Sequence, residues 1–189
     1  MKTEFECRFI GIDINDLRTR LTDARFTLAE PERLMKRKIF FLSPKDGAMR
    51  WFRLRDQGDK TTLTLKSKGD ISQGISSMKE IECDVGDFET MAELLAESGL
   101  KLNSFEENRR EKWTKDGAEV CLDTWPGLKT FAEIEAASEQ MVKLAAAELG
   151  FDWSDAMFGN VMEVYGKELG IGMDKVHGNC TFDNPPKAK

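Results

Sequence analysis

Over much of its first 137 residues the chain alternates charged or hydroxyl side chains with apolar ones, and this two-residue period constrains the fold more than any other feature. Successive side chains in a strand point to opposite faces, so the charges can be sorted by side. Glu4, Glu6 and Arg8 share a face opposed by Phe5, Cys7 and Phe9. Arg53 and Arg55 oppose Phe52 and Leu54, and Thr64, Lys66 and Lys68 oppose Leu63 and Leu65. Glu80, Glu82 and Asp84 oppose Ile81, Cys83 and Val85; Glu133 and Glu135 oppose Ala132, Ile134 and Ala136. With turns such as Lys45-Asp46-Gly47 and Lys115-Asp116-Gly117 between such runs, about eight strands are expected, enough to close a barrel.

Alternation of this kind ordinarily means a sheet with one solvated face. Here, however, the charges segregate, with carboxylate pairs on some strands and basic pairs on others, whereas a solvated face mixes signs. Carboxylate pairs suit hard cations such as Mg²⁺ or Mn²⁺, and Arg or Lys pairs suit phosphate oxygens. A polyphosphate bound with metal needs both in one cavity, and many opposed charges at close range are tolerable where they pair or meet water and ligand. A water-filled lumen meets that condition. The expected fold is therefore α+β: an eight-stranded antiparallel β-barrel, or tunnel, with helices packed outside.

Three segments supply those helices. Leu17 and Leu21 share a face within 15–24; 87–98 opens on a capping residue and stops at Gly99; 138–149 stops at Gly150. The tunnel is assigned to residues 1–150. From residue 151 the composition shifts to aromatics and glycines and ends in FDNPPKAK, which reads as a helical extension and extended tail packed on the same domain.

At 189 residues the chain suits one domain with a sizeable core. Its net charge of −6 argues against a nucleic-acid polymer as partner, so any phosphate-binding charge must be concentrated locally. No apolar run approaches the roughly 18 residues that cross a bilayer, and MKTEFECRF carries charges where a secretory signal needs an apolar stretch. Cys7, Cys83, Cys121 and Cys180 show no metal-ligand spacing and read as reduced thiols in a cytoplasmic protein. GxxxxGK[ST] is absent, and the glycines of KGDISQGISS do not form GxGxxG, so backbone cradling of phosphate is not expected. The single histidine, His177, has no partners for a catalytic set and reads as a surface residue.

The ordered series Glu4-x-Glu6-x-Arg8, Arg53-x-Arg55, Lys66, Glu80-x-Glu82, Asp123 in VCLDTWPGLKTF, and Glu133-x-Glu135 resembles the CYTH superfamily, the triphosphate tunnel metalloenzymes. These include class IV adenylyl cyclases, thiamine triphosphatases and inorganic triphosphatases. The resemblance covers roughly residues 2 to 150. It implies that Glu4, Glu6, Asp123, Glu133 and Glu135 form the metal side and that Glu80 and Glu82 are an acidic pair, Glu82 being the preferred ligand or water-holder. It further implies that Arg53, Arg55 and Lys66 clamp triphosphate, and Lys68, on the same strand face as Lys66, is expected to bind it too. Arg110 fits a basic position before Trp113, with Arg109 on the opposite strand face as the competing choice. The resemblance also admits a homodimer.

The chain departs from that pattern in three places. The family's first motif usually ends in lysine, which is thought to help activate water with a tyrosine; here Arg8 stands instead. A guanidinium cannot act as a base at neutral pH, but it can clamp phosphate. The only tyrosine, Tyr165, lies in the extension, and Asn108 stands where some relatives have a basic residue. The expected function is metal-dependent hydrolysis of a triphosphate such as tripolyphosphate, ATP or thiamine triphosphate. The alternatives are a class IV-type adenylyl cyclase, making cyclic AMP and pyrophosphate, and a non-catalytic polyphosphate- or nucleotide-binding module.

Overall fold

A computed structural model describes residues 2–68, 78–172 and 178–187, with backbone alone at residues 2–4 and 78. His177, Gly69 and Gly74 lie outside the described residues. Eight strands follow the alternating segments: β1 (Lys2–Phe9), β2 (Thr27–Lys45), β3 (Ala48–Asp56), β4 (Thr61–Lys68), β5 (Met78–Val85), β6 (Leu102–Lys115), β7 (Ala118–Thr124) and β8 (Phe131–Ala136). They pair antiparallel in the order β2-β3-β4-β5-β1-β8-β7-β6, and β2 also pairs with β6. The sheet thus curls until its ends meet, completing the expected circuit of eight strands. Among the described residues its shortest seam joins β1 to β5 through three residue pairs, from Lys2 opposite Glu80 to Glu4 opposite Met78.

The three expected helices form where their capping residues place them: α1 (Ile14–Asp23), α2 (Phe88–Glu97) and α3 (Glu139–Glu148). The side chains of Asp13, Asp87 and Ser138 accept hydrogen bonds from the first-turn amides, which would otherwise lack partners. At the far ends of α2 and α3, Gly99 and Gly150 adopt positive φ, where a side chain would be strained.

The hydrophobic core lies between the outside of the barrel and these helices. Cys7, Phe9, Val120, Leu122, Ala132 and Ile134 pack against Leu17 and Leu21 of α1 and Val142, Ala146 and Leu149 on the α3 side. Phe40 and Leu54 pack against Phe88, Ala92 and Leu95 of α2. Because the apolar face of each strand is occupied in this way, its charged face must turn inward.

The extension contributes a 3₁₀ turn (Trp153–Asp155), α4 (Val161–Leu169) and β9 (Asn179–Cys180). Sequence reasoning expected a helical extension followed by an extended tail here, with no strand. Instead β9 pairs parallel with β6 at Phe105 and Glu106, in line with β7, which pairs with β6 only from Arg109 onward. Trp125, Leu128 and Phe131 pack against Val164, Tyr165, Ile171 and Cys180, burying the new strand and α4 on the barrel. No helix among the described residues is long and apolar enough to cross a membrane.

Candidate functional site

Strand register carries one inner face around the whole circuit. Arg8 stands opposite Glu133 and Glu6 opposite Glu135; Asp123 stands opposite Arg110, Arg37 opposite Arg55, Arg53 opposite Thr64, and Lys66 opposite Glu80. Lys68 continues the β4 face beyond Lys66. The predicted residues on these eight strands therefore share one lumen. Glu4 on β1 stands opposite Met78, and its side chain lies outside those described. Arg109 takes the other face, its guanidinium 4.9 Å from the centre of the Phe182 ring in the tail.

On one side the charges are zipped together. Arg8 donates to Glu6 at 3.0 Å and also to Glu133, and it holds the carbonyl of Gly159. Arg110 donates from Nε to Asp123 at 2.8 Å and from its terminal nitrogen to Glu133 at 2.8 Å. Burial works against the charge on Arg8, but Glu133 and Glu6 outweigh it and raise its pKa above the ordinary value. Burial likewise works to protonate Glu133, but Arg8 and Arg110 hold its carboxyl well below the usual carboxylate range. Asp123 and Glu133, expected on the metal side, thus also anchor two guanidiniums. The extension reaches this cluster: Arg8 and Met157 exchange backbone hydrogen bonds of 2.9 Å on the edge of β1 beyond its pairs with β5.

Across the lumen the basic side chains lie farther from their carboxylates. Arg53 lies 3.5 Å from Glu82 and 3.8 Å from Glu80, and Lys66 lies 3.4 Å from Glu80. The Thr64 hydroxyl donates to Glu82 at 2.6 Å. Burial favours the neutral acid at Glu82, but this bond and the charges of Arg53 and Arg55 depress its pKa overall. Arg55 is 8% exposed and has no hydrogen-bond or ion-pair partner among the described residues. Burial, compounded by Arg53, Arg37 and Arg110, lowers its pKa well below the guanidinium norm.

Arg37 is a lumen residue that sequence reasoning missed. It lies in the run Lys36-Arg37-Lys38, which is basic on both strand faces, so parity gives no contrast there. Its guanidinium donates to the amide oxygen of Asn108 and lies 4.5 Å from the centre of the Trp125 ring. Asn108 in turn donates to Asp123 at 2.9 Å. Farther along the same face, Phe41 stands opposite Trp51 with ring centres 6.4 Å apart, and Met49 stands opposite Lys68. Phe41 and Met49 are exposed, which makes an apolar ledge beside Lys66.

Among the described residues no three acidic side chains converge to cage an ion on their own. The donor set nevertheless fits a hard cation shared with a ligand. Glu6 and Glu135 stand opposite each other in register, with Glu6 also accepting from Arg8, which places two carboxylate-bearing residues side by side on the lumen face. Mg²⁺ is commonly held by one or two carboxylates, with phosphate oxygens and water completing its shell.

Tyr165 is fully buried outside the lumen, donating to the Pro126 carbonyl at 2.7 Å and lying 3.2 Å from Cys180. It braces the extension. A separate open depression of about 440 Å³ beside the β6–β7 turn, lined in part by Arg25, Lys115 and Asp116, contains none of the predicted site residues.

The CYTH domain model matches residues 2–156, and the chain belongs to that family. No curated protein sequence matches it. Among solved structures, a conserved hypothetical protein from Pyrococcus furiosus is 21% identical, covers 82% of this chain and 95% of its own, and superposes with a TM-score of 0.67. A candidate adenylate cyclase from Vibrio parahaemolyticus is 10% identical, with 87% and 98% covered and a TM-score of 0.71. A candidate adenylyl cyclase from Hippeastrum, described as having a dominant triphosphatase activity, is 18% identical, with 90% and 96% covered and a TM-score of 0.55. At these identities the likeness is one of fold.

Proposed function

We propose that this member of the CYTH family binds a triphosphate in its lumen together with Mg²⁺ or Mn²⁺ and hydrolyses it. The observation that carries the reading is Arg55, a buried guanidinium beside Arg37 and Arg53 that makes no ion pair among the described residues. Burying an uncompensated charge is costly, and a polyanion supplies the missing compensation.

In this reading Arg53, Arg55 and Lys66 clamp the phosphate oxygens, with Lys68 and Arg110 contributing at the edges of the site. Glu6, Glu133 and Glu135, with Glu4, Glu80 and Asp123, form the acidic face that would hold the cation. When bound, the cation neutralises phosphate charge and acidifies water. Glu82, kept ionised by Thr64 and Arg53, orients the attacking water by accepting its hydrogen bond. Arg8 stays charged and stabilises the developing negative charge instead of removing a proton. Water attacks the terminal phosphorus, the bond to the bridging oxygen breaks, and orthophosphate leaves from diphosphate or its ester.

A second reading is cyclisation of ATP, favoured by the apolar ledge of Phe41, Met49 and Trp51, which offers a planar organic group a seat next to Lys66. A panel of tripolyphosphate, ATP and thiamine triphosphate, each with Mg²⁺, Mn²⁺ or EDTA, separates the readings. Orthophosphate released only with metal is the expected outcome. Cyclic AMP with pyrophosphate from ATP replaces hydrolysis by cyclisation, and metal-dependent binding without turnover leaves a binding module.

A further inference from the structure

The anion site read from the sequence stops at the Arg53, Arg55 and Lys66 side of the lumen. Register extends it sideways. Arg37 on β2 is the direct partner of Arg55 on β3, and Arg55 is the direct partner of Thr62 on β4. All three residues are at least nine-tenths buried, at 8%, 8% and 0% exposure. Among the described residues each carries a buried polar atom with no hydrogen-bond partner: Arg37 Nε, Arg55 Nε and Thr62 Oγ1. Arg8, Arg33 and Arg53 share the orphaned Nε, so the Thr62 hydroxyl and the unpartnered Arg55 guanidinium distinguish the row. Buried polar atoms are rarely left unpaired, and three in one row across adjacent strands mark a place where an acceptor-rich group belongs.

Building on the triphosphate reading of the lumen, we infer that Arg37 and Thr62 are phosphate-oxygen ligands that complete this row, and that Asn108 and Trp125 are the positioning residues that aim Arg37. A purely structural arginine here would be expected to meet a carboxylate, as Arg8 and Arg110 do. Glu106 stands opposite Arg37 on β6 but forms no ion pair with it among the described residues, and the guanidinium meets a neutral amide oxygen and a ring face. Both fix its direction without neutralising it. The Asn108 amide is oriented by its bond to Asp123, so the chain Asp123, Asn108, Arg37 ties the basic row to the zipped acidic side. Burial pulls the Arg37 pKa down to about 10 against the charge of Glu106, with Arg53 and Arg110 adding to the fall. Thr62 adds a neutral donor where another cation would increase the repulsion.

Calorimetry with tripolyphosphate and Mg²⁺, paired with thermal unfolding of the unliganded protein, tests this. Arg37→Gln is expected to weaken binding about 10- to 100-fold, the range for a hydrogen bond to a charged group, while unliganded stability holds or rises. Arg37→Lys restores the charge without the fork and should fall between wild type and Arg37→Gln. Thr62→Val, nearly equal in volume, should weaken binding about three- to tenfold with no loss of stability. Unchanged affinity in folded Arg37→Gln and Thr62→Val overturns the inference, as does lower stability with affinity intact. Should Arg37→Gln not fold, Thr62→Val decides alone. If wild type fails to bind tripolyphosphate, the triphosphate reading itself falls and takes the inference with it; wild-type binding with unaltered variants refutes only the inference.

Discussion

The two sides of the lumen hold similar residue types in opposite states. On β1, β6, β7 and β8, Glu6, Arg8, Glu133, Arg110 and Asp123 form one continuous chain of ion pairs. On β2, β3 and β4, Arg37 and Arg55 are buried side by side without a carboxylate contact. The first side spends its charges on holding strands together. The second keeps them available and is less stable for it, an arrangement that a bound anion would reverse.

The sharpest way to break the contrast is to remove the residue that joins the most pairs. Glu133→Gln leaves Arg8 and Arg110 short of a partner in a buried setting and should cost about 3 to 5 kcal/mol in urea unfolding. The pH dependence follows from the depressed pKa of Glu133. Its contribution is fully present above the unfolded carboxylate value, near 4.5, and is lost as pH falls below it. Wild type should therefore lose stability in acid, and the variant should lose less. An equal acid response in both would detach Glu133 from the network.

On the other side, Arg55→Gln is expected to leave unliganded stability equal or higher while weakening tripolyphosphate binding by about 2 to 3 kcal/mol in calorimetry. Loss of stability with affinity unchanged would erase the distinction between the sides. The smallest effect is expected at the ledge. Trp51→Ala should weaken binding of ATP or thiamine triphosphate by about 1 kcal/mol and leave tripolyphosphate unaffected. Equal losses for all three ligands would mean that Trp51 shapes the lumen instead of seating an organic group.

Much of this arrangement was readable in the chain. Period-2 alternation in β1, β3, β4, β5 and β8 assigned each charge to a face, because strand geometry is local and the apolar residues on the other face were unambiguous. Asp13, Asp87 and Ser138 marked helix starts for an equally local reason, the unpartnered amides of a first turn. Arg37 escaped because Lys36 and Lys38 flank it, and a run of like residues has no parity. Asn108 was noticed only as a departure from the family pattern. Its role depends on Asp123 on the next strand and on Arg37, 71 positions before it in the sequence. β9 was equally hidden, since two residues pairing in parallel with β6 leave no period to detect.

The sequence by itself determined which side chains share a strand face, where the outer helices begin, and that acids and bases would have to be brought together. Those are properties of short windows, governed by backbone geometry and the burial of apolar faces. Which acid meets which base was decided only when strand register closed the circuit. An ion pair depends on a distance of a few ångströms between residues up to 125 positions apart, as for Arg8 and Glu133. The same closure left a buried polar atom of each of Arg37, Arg55 and Thr62 without a hydrogen-bond partner among the described residues.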